Sequence, residues 1–117
     1  MKTNDFLNAN AIHIKKMIKE QMSDHFDSHM FIRVLAKKYE YQYVALLRKY
    51  KKNAHRNVNA QIARHLLKNK LYFEIDKNAK VFSATVFGYN NPNELWQKTK
   101  KNSAEIIHKN LDPFSYL

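Results

Sequence analysis

The sequence predicts an α+β fold that is mainly α, with helices packed around one β-hairpin and followed by a C-terminal helix. Three observations predict it. The 117 residues include one Gly and two Pro, so few sharp turns interrupt the chain and long regular elements are expected. Apolar residues recur at helical spacing through most of the chain before Asn69, the pattern of amphipathic helices. The period then changes to two. Leu71, Phe73 and Ile75 alternate with Tyr72 and Glu74, the polar run Asp76–Ala79 follows, and Val81–Phe87 is rich in β-branched and aromatic residues, which reads as a hairpin at about 71–88 with its turn at 76–79.

The elements follow in order. Residues 5–22 form a first amphipathic helix, with Leu7, Ala11, Ile14, Ile18 and Met22 inward, Lys15, Lys16, Lys19 and Glu20 outward, and Asn4 as N-cap. Residues 23–29, SDHFDSH, break that period as an interhelical turn and supply Asp27 or Ser28 as the next cap. From His29 to Lys52 the residues Phe31, Leu35, Tyr39, Tyr43, Leu46, Leu47 and Tyr50 keep helical spacing. That spacing fits one long helix or two hinged near Tyr39–Tyr41. After the break at 52–57, a helix from about Val58 to Asn69 is expected, capped by Asn57 and ended by Asn69, a residue that tolerates the left-handed conformation. Beyond Gly88, Pro92 suits a first helical turn, and Leu95, Trp96, Thr99, Ile106 and Ile107 predict a last helix to about Lys109. The whole reads as a single domain over 1–110, with an apolar tail at 111–117 whose Phe114, Tyr116 and Leu117 could dock on the domain or form a homodimer contact.

Charge narrows the expected partners. The formal net charge is +11, from 21 Lys and Arg against 10 Asp and Glu, and such an excess favours polyanions, nucleic acid ahead of a membrane surface. Its distribution says more than its size. No acidic residue occurs between Glu40 and Glu74, whereas Arg48, Lys49, Lys51, Lys52, Arg56, Arg64, Lys68 and Lys70 all fall there. With no Cys, disulfides, thiolate metal sites and cysteine nucleophiles are excluded. No apolar run approaches the ~18 residues of a membrane span, and the charged N-terminal stretch does not read as a signal peptide, so a soluble cytoplasmic protein is expected.

On the helix expected over 58–69, Val58, Ile62, Ala63 and Leu66 make an apolar face. Asn57, Gln61, Arg64 and Lys68 recur at i, i+4, i+7 and i+11 on another. Arg suits guanine edges, Asn and Gln suit adenine edges, and Lys reaches phosphates, so this strip has the chemistry of a groove reader. Lys51, Lys52 and Arg56 before it, and Lys77 and Lys80 at the expected hairpin tip, are placed to hold the backbone. The simpler account is a solvated helix face. Tyr41, Tyr72 and Phe82 fall off the apolar faces and are candidates for base stacking, though core or partner packing is the better account of each.

The run Gln61-Ile62-Ala63-Arg64-His65-Leu66-Leu67, followed by Leu71-Tyr72-Phe73 and a hairpin, resembles the recognition helix and wing of bacterial winged-helix repressors. In those families a helix ending in a pattern like S-R-H-L leads through a short turn into two strands. Arg64, His65 and Leu66 match that pattern, and Lys77 to Lys80 would be the wing tip. The resemblance spans about thirty residues. The chain departs from it at Asn69-Lys70, where the family has Gly, and in the length of the preceding helix. It implies a winged helix-turn-helix, duplex DNA as partner, and a role in transcription regulation or as an accessory factor of a phage or mobile element.

Other chemistries find little support. The cluster Asp24-His25-Phe26-Asp27-Ser28-His29 holds two His at i, i+4, a spacing that binds metal on a helix, but in a turn it reads as a capping segment. There is no Gly-rich phosphate loop, HExxH or GxSxG, so neither catalysis nor a cofactor is expected. The other class of function consistent with the sequence is a non-catalytic inhibitor or adaptor that binds a protein partner through the Tyr-rich helix and the apolar tail.

Overall fold

In a computed structural model, which describes residues 1–85, 88 and 90–99, the chain is α+β and mainly helical. Among these residues six helices and three strands occur. The first expected helix is two, α1 (Thr3–Ala9) and α2 (Ala11–Gln21). They part at Asn10, whose side-chain amide donates to the Phe6 carbonyl at 2.9 Å and competes with the helical ladder. Asn4 therefore lies inside a helix, and the residue at the N-cap is Lys2.

Residues 23–29 are more than a turn. His25–Asp27 forms strand β1, and Asp27 also caps α3 (Ser28–Lys38), accepting from the Met30 amide at 2.8 Å. A cap of this kind contributes about 1 kcal/mol. The stretch from His29 divides at Tyr39, where φ is −119° and ψ 48°, into α3 and α4 (Glu40–Leu47), so the hinged alternative is the one adopted. The Tyr39 ring meets Phe6 edge-on at 5.3 Å. The Tyr43 hydroxyl of α4 donates to Asn59 Oδ1 at 2.7 Å, tying α4 to the helix that follows it.

The central helix, α5, runs Ala54–Lys68 and starts four residues earlier than expected, with Asn53 at the N-cap in the left-handed conformation (φ 54°). Asn57 is thus an internal residue rather than the cap, and its amide reaches back to the Asn53 carbonyl at 3.1 Å. Asn69 ends α5 without a left-handed turn. It sits at φ −112° with its amide donating to the His65 carbonyl at 2.9 Å.

The hairpin differs most from expectation. Leu71–Phe73 is helical, part of the short α6 (Lys70–Phe73), and the left-handed residue that ends it is Glu74 at φ 58°. Strand β2 (Ile75–Ala84) runs straight through the expected turn at 76–79 and pairs with β3 (Asn90–Lys98), in the segment expected to be loop and helix. A bulge absorbs the polar run. The register shifts between Lys77 and Ala79, and Asn78 donates to Gln97 Oε1 at 3.0 Å. The ribbon therefore spans 75–98 rather than 71–88, its connection lies between Ala84 and Asn90, and Lys77 and Lys80 are mid-strand rather than at a tip. The rest of the expected C-terminal helix and the tail at 111–117 lie outside the described residues.

The sheet is antiparallel in the order β1-β3-β2. Trp96 explains why β3 forms. Fully buried on the middle strand, it stands opposite Phe26 and donates from Nε1 to Ser28 Oγ at 2.9 Å. Phe26, Phe31, Leu35, Ile62 and Leu66 join it in one core. Pro92 is tolerated in β3 because β1 pairs only with residues 95–97, leaving the strand one neighbour at Pro92. At the other end Lys98 Nζ donates to the Lys19 carbonyl at 3.0 Å and also to that of Met22, capping the C-terminus of α2.

Candidate nucleic-acid interface

Asn57, Gln61, Arg64 and Lys68 do share one side of α5, but that side turns toward α1 and the α4–α5 connection. Gln61 Nε2 donates to the Tyr50 hydroxyl at 2.7 Å, which holds the side chain against the protein. Arg64 and Lys68 are exposed and border a small recess of about 70 Å³ with Asn4. The side facing the ribbon is about a third of a turn away at ~100° per residue, and it carries Arg56, Asn59, Ala60 and Ala63. No single surface of α5 therefore presents both the expected strip and the ribbon.

Between α5 and the ribbon lies a larger cleft of about 470 Å³. His55, Arg56 and Asn59 line one wall, and Lys80, Pro92 and Glu94 the other. Glu94 is shared by two lysines, at 3.1 Å from Lys80 and 3.8 Å from Lys77. This leaves the three side chains one positive charge between them. Burial pushes the Tyr43 hydroxyl up to about 12, so it remains a donor to Asn59 at neutral pH.

The far half of the ribbon is braced by α3. The His29 amide donates to Asn93 Oδ1 at 3.0 Å, and His29 Nδ1 lies 3.0 Å from both the Ser83 hydroxyl and its carbonyl. Asn93 Nδ2 donates to the Val81 carbonyl and the Ser83 hydroxyl, each at 3.1 Å, and Arg33 donates to the Ala84 carbonyl at 2.8 Å. Sequence reasoning missed His29, Arg33 and Asn93 because their partners lie more than fifty residues away or on the neighbouring strand. The Asp24–His29 cluster is likewise divided, His25 on β1 and His29 on α3. Among the described residues no group of three or more His, Asp or Glu could hold a metal ion.

The basic stretch is largely exposed. Arg48, Lys49, Lys51 and Lys52 in the α4–α5 connection, and Arg56, Arg64 and Lys68 on α5, are all exposed, and none is in an ion pair among the described residues. Lys70, the eighth base, pairs with Asp76 at 3.1 Å. Tyr41 and Phe82 are largely exposed, at 83% and 77%, and Tyr72 is partly so at 42%. Tyr72 lies under Lys15 Nζ at 4.8 Å from the ring centroid.

Two histidines of α5 make stability depend on pH. Desolvation holds His65 below the ordinary value of 6.5, with the Lys68 charge adding to it, and burial lowers His55. The unfolded chain takes up protons near 6.5 that these imidazoles accept only at lower pH. Their contribution is therefore complete above the unfolded value and is lost as pH falls below it. Thermal melting should give a lower Tm at roughly pH 5.5 than at pH 7.5, and His65→Gln should flatten the drop. An undiminished drop in the variant would assign it to other groups.

The architecture defines a basic α+β protein in which a helix is followed by a short helical turn and an antiparallel ribbon. No family model, curated protein or solved structure matches the chain. Among the described residues no helix is long and apolar enough to cross a membrane.

Proposed function

We propose that the protein binds duplex DNA as a winged-helix-like module, through the α4–α5 connection and the exposed edge of α5, in a regulatory or accessory role. The observation that carries this reading is the group of seven exposed bases from Arg48 to Lys68 without ion-pair partners among the described residues. Unpaired cations in an acid-free stretch raise the local potential and are free to displace the counterions condensed on a duplex. Helix-then-ribbon order supports the winged-helix comparison, with Arg64 and Lys68 on a different side of α5 from the ribbon. Within it Lys51, Lys52 and Arg56 contact phosphates, Arg64 is the base reader best placed by its exposure, and Lys68 flanks it. Asn57 and Gln61 serve to order this surface, since their amides are engaged by the protein itself. Lys77 and Lys80 act mainly through their shared Glu94.

The test is duplex binding by fluorescence anisotropy at two salt concentrations. Micromolar binding at low salt, weakening with a log–log slope of about −0.9 per phosphate contacted, is expected. No binding at low salt would end this reading. It would leave the protein-interaction module, which the 83% exposure of Tyr41 and 86% exposure of Leu71 favour.

A further inference from the structure

We infer that the cleft between α5 and the ribbon receives one unpaired nucleotide, its phosphate against Arg56 and its base against Pro92 and Phe82. The inference rests on the nucleic-acid reading above and adds to it a preference for duplexes that carry a single-stranded extension.

Shape comes first. At about 470 Å³ the cleft has the size of a small-ligand site, which spans roughly 300–1,000 Å³. A helix reads duplex DNA by standing proud enough to enter a major groove about 12 Å wide. Beyond the exposed Arg56 this side of α5 is walled by the ribbon, so a duplex can reach Arg56 but not the interior of the cleft, whereas a single nucleotide can enter.

The chemistry of the walls agrees. Arg56 is exposed and without an ion-pair partner among the described residues, so its guanidinium is available to a phosphate. Asn59 Oδ1 is occupied by Tyr43, leaving its amide Nδ2 as the donor available to a ligand. On the ribbon, Lys80 is paired with Glu94 and Phe82 with Pro92 in register. Cross-strand partners and alternate residues share a face, so Phe82 lies on the same face as the cleft-lining Lys80 and Pro92. Phe82 is 77% exposed, and an open aromatic residue next to a cleft with an unpaired guanidinium is suited to stacking single-stranded nucleic acid without sequence preference.

The bracing from α3 then acquires a purpose. His29, Asn93 and Ser83 lock the ribbon at the depth of Phe82 and Pro92, which keeps the cleft open before a ligand arrives and lowers the ordering cost of binding.

The experiment compares a blunt duplex, the same duplex with a short single-stranded tail, and one whose tail is abasic but equally charged. The tailed duplex should bind about tenfold more tightly than the blunt one, within the range base stacking supplies, and the abasic tail should give little of that gain. Phe82→Ala, at a site too exposed to unfold the chain, and Ala60→Trp, which fills the cleft, should each remove the gain and leave blunt-duplex binding unchanged. Equal binding of tailed and blunt duplexes, equal gains from basic and abasic tails, or a full gain in Phe82→Ala would overturn the inference while the duplex reading stands. If neither duplex binds at low salt, the duplex reading itself is lost and the inference falls with it.

Discussion

Replacing Trp96 with alanine is expected to cost about 3–5 kcal/mol, the range for emptying a buried aromatic site. Trp96 is fully buried in the middle strand, where it meets Phe26 and holds Ser28 at the start of α3. Domains of this size retain roughly 5–15 kcal/mol in all, so the variant should be largely unfolded or close to it. Urea denaturation followed by circular dichroism measures the loss. Trp96→Phe keeps most of the volume but leaves Ser28 without its donor, and should cost clearly less. A loss in Trp96→Ala below about 1 kcal/mol would mean that the sheet does not depend on this side chain.

The second large effect is on binding. Reversing Lys51, Lys52 and Arg56 together to Glu should lower duplex affinity by at least about a hundredfold at low salt and cut the salt slope by nearly three units, at ~0.9 for each phosphate no longer neutralised. All three side chains are exposed and without ion-pair partners among the described residues. Folding should therefore be unaffected, which the unchanged thermal melt of the variant would verify. Anisotropy titrations across a salt series are the measurement. A triple variant that binds as tightly as the parent would move the interface away from the α4–α5 connection. The control is a reversal at Lys16 and Lys19 on α2, which lies outside the acid-free stretch and should matter far less.

The helical part of the fold was legible because its signals are local. Leu7, Ile14, Ile18, Phe31, Leu35, Leu46, Val58, Ile62 and Leu66 are all buried as their spacing predicts, and Asp27 caps α3. A helix boundary moved where a side chain competes with the ladder, as at Asn10, while of the two alternatives for 29–52 the hinge at Tyr39, whose ring packs edge-on against Phe6, is the one adopted. The strands were another matter. Asp76–Ala79 has turn composition, yet the pairing of β2 with β3 continues on both sides of it and a bulge at Asn78 takes up the mismatch. Leu95 and Trp96 fit helical spacing as well as they fit a strand, and what decides between them is Phe26 waiting seventy residues earlier in the chain.

The candidate site divides the same way. Exposed bases at 48–68 could be read directly, because charge composition is additive along a chain. Which side of α5 meets the ribbon could not, because it depends on where β3 crosses. That crossing turns Arg56 and Asn59 toward the cleft and leaves Gln61 against Tyr50.

By itself the sequence determined a mainly helical α+β protein with a strongly basic, acid-free middle, since periodicity, caps and charge act over a few residues. Tertiary structure alone decided the span of the ribbon and the side of α5 it faces. Strand pairing joins residues far apart in the chain, and the free energy that selects one pairing comes from burying Trp96 and Phe26 together.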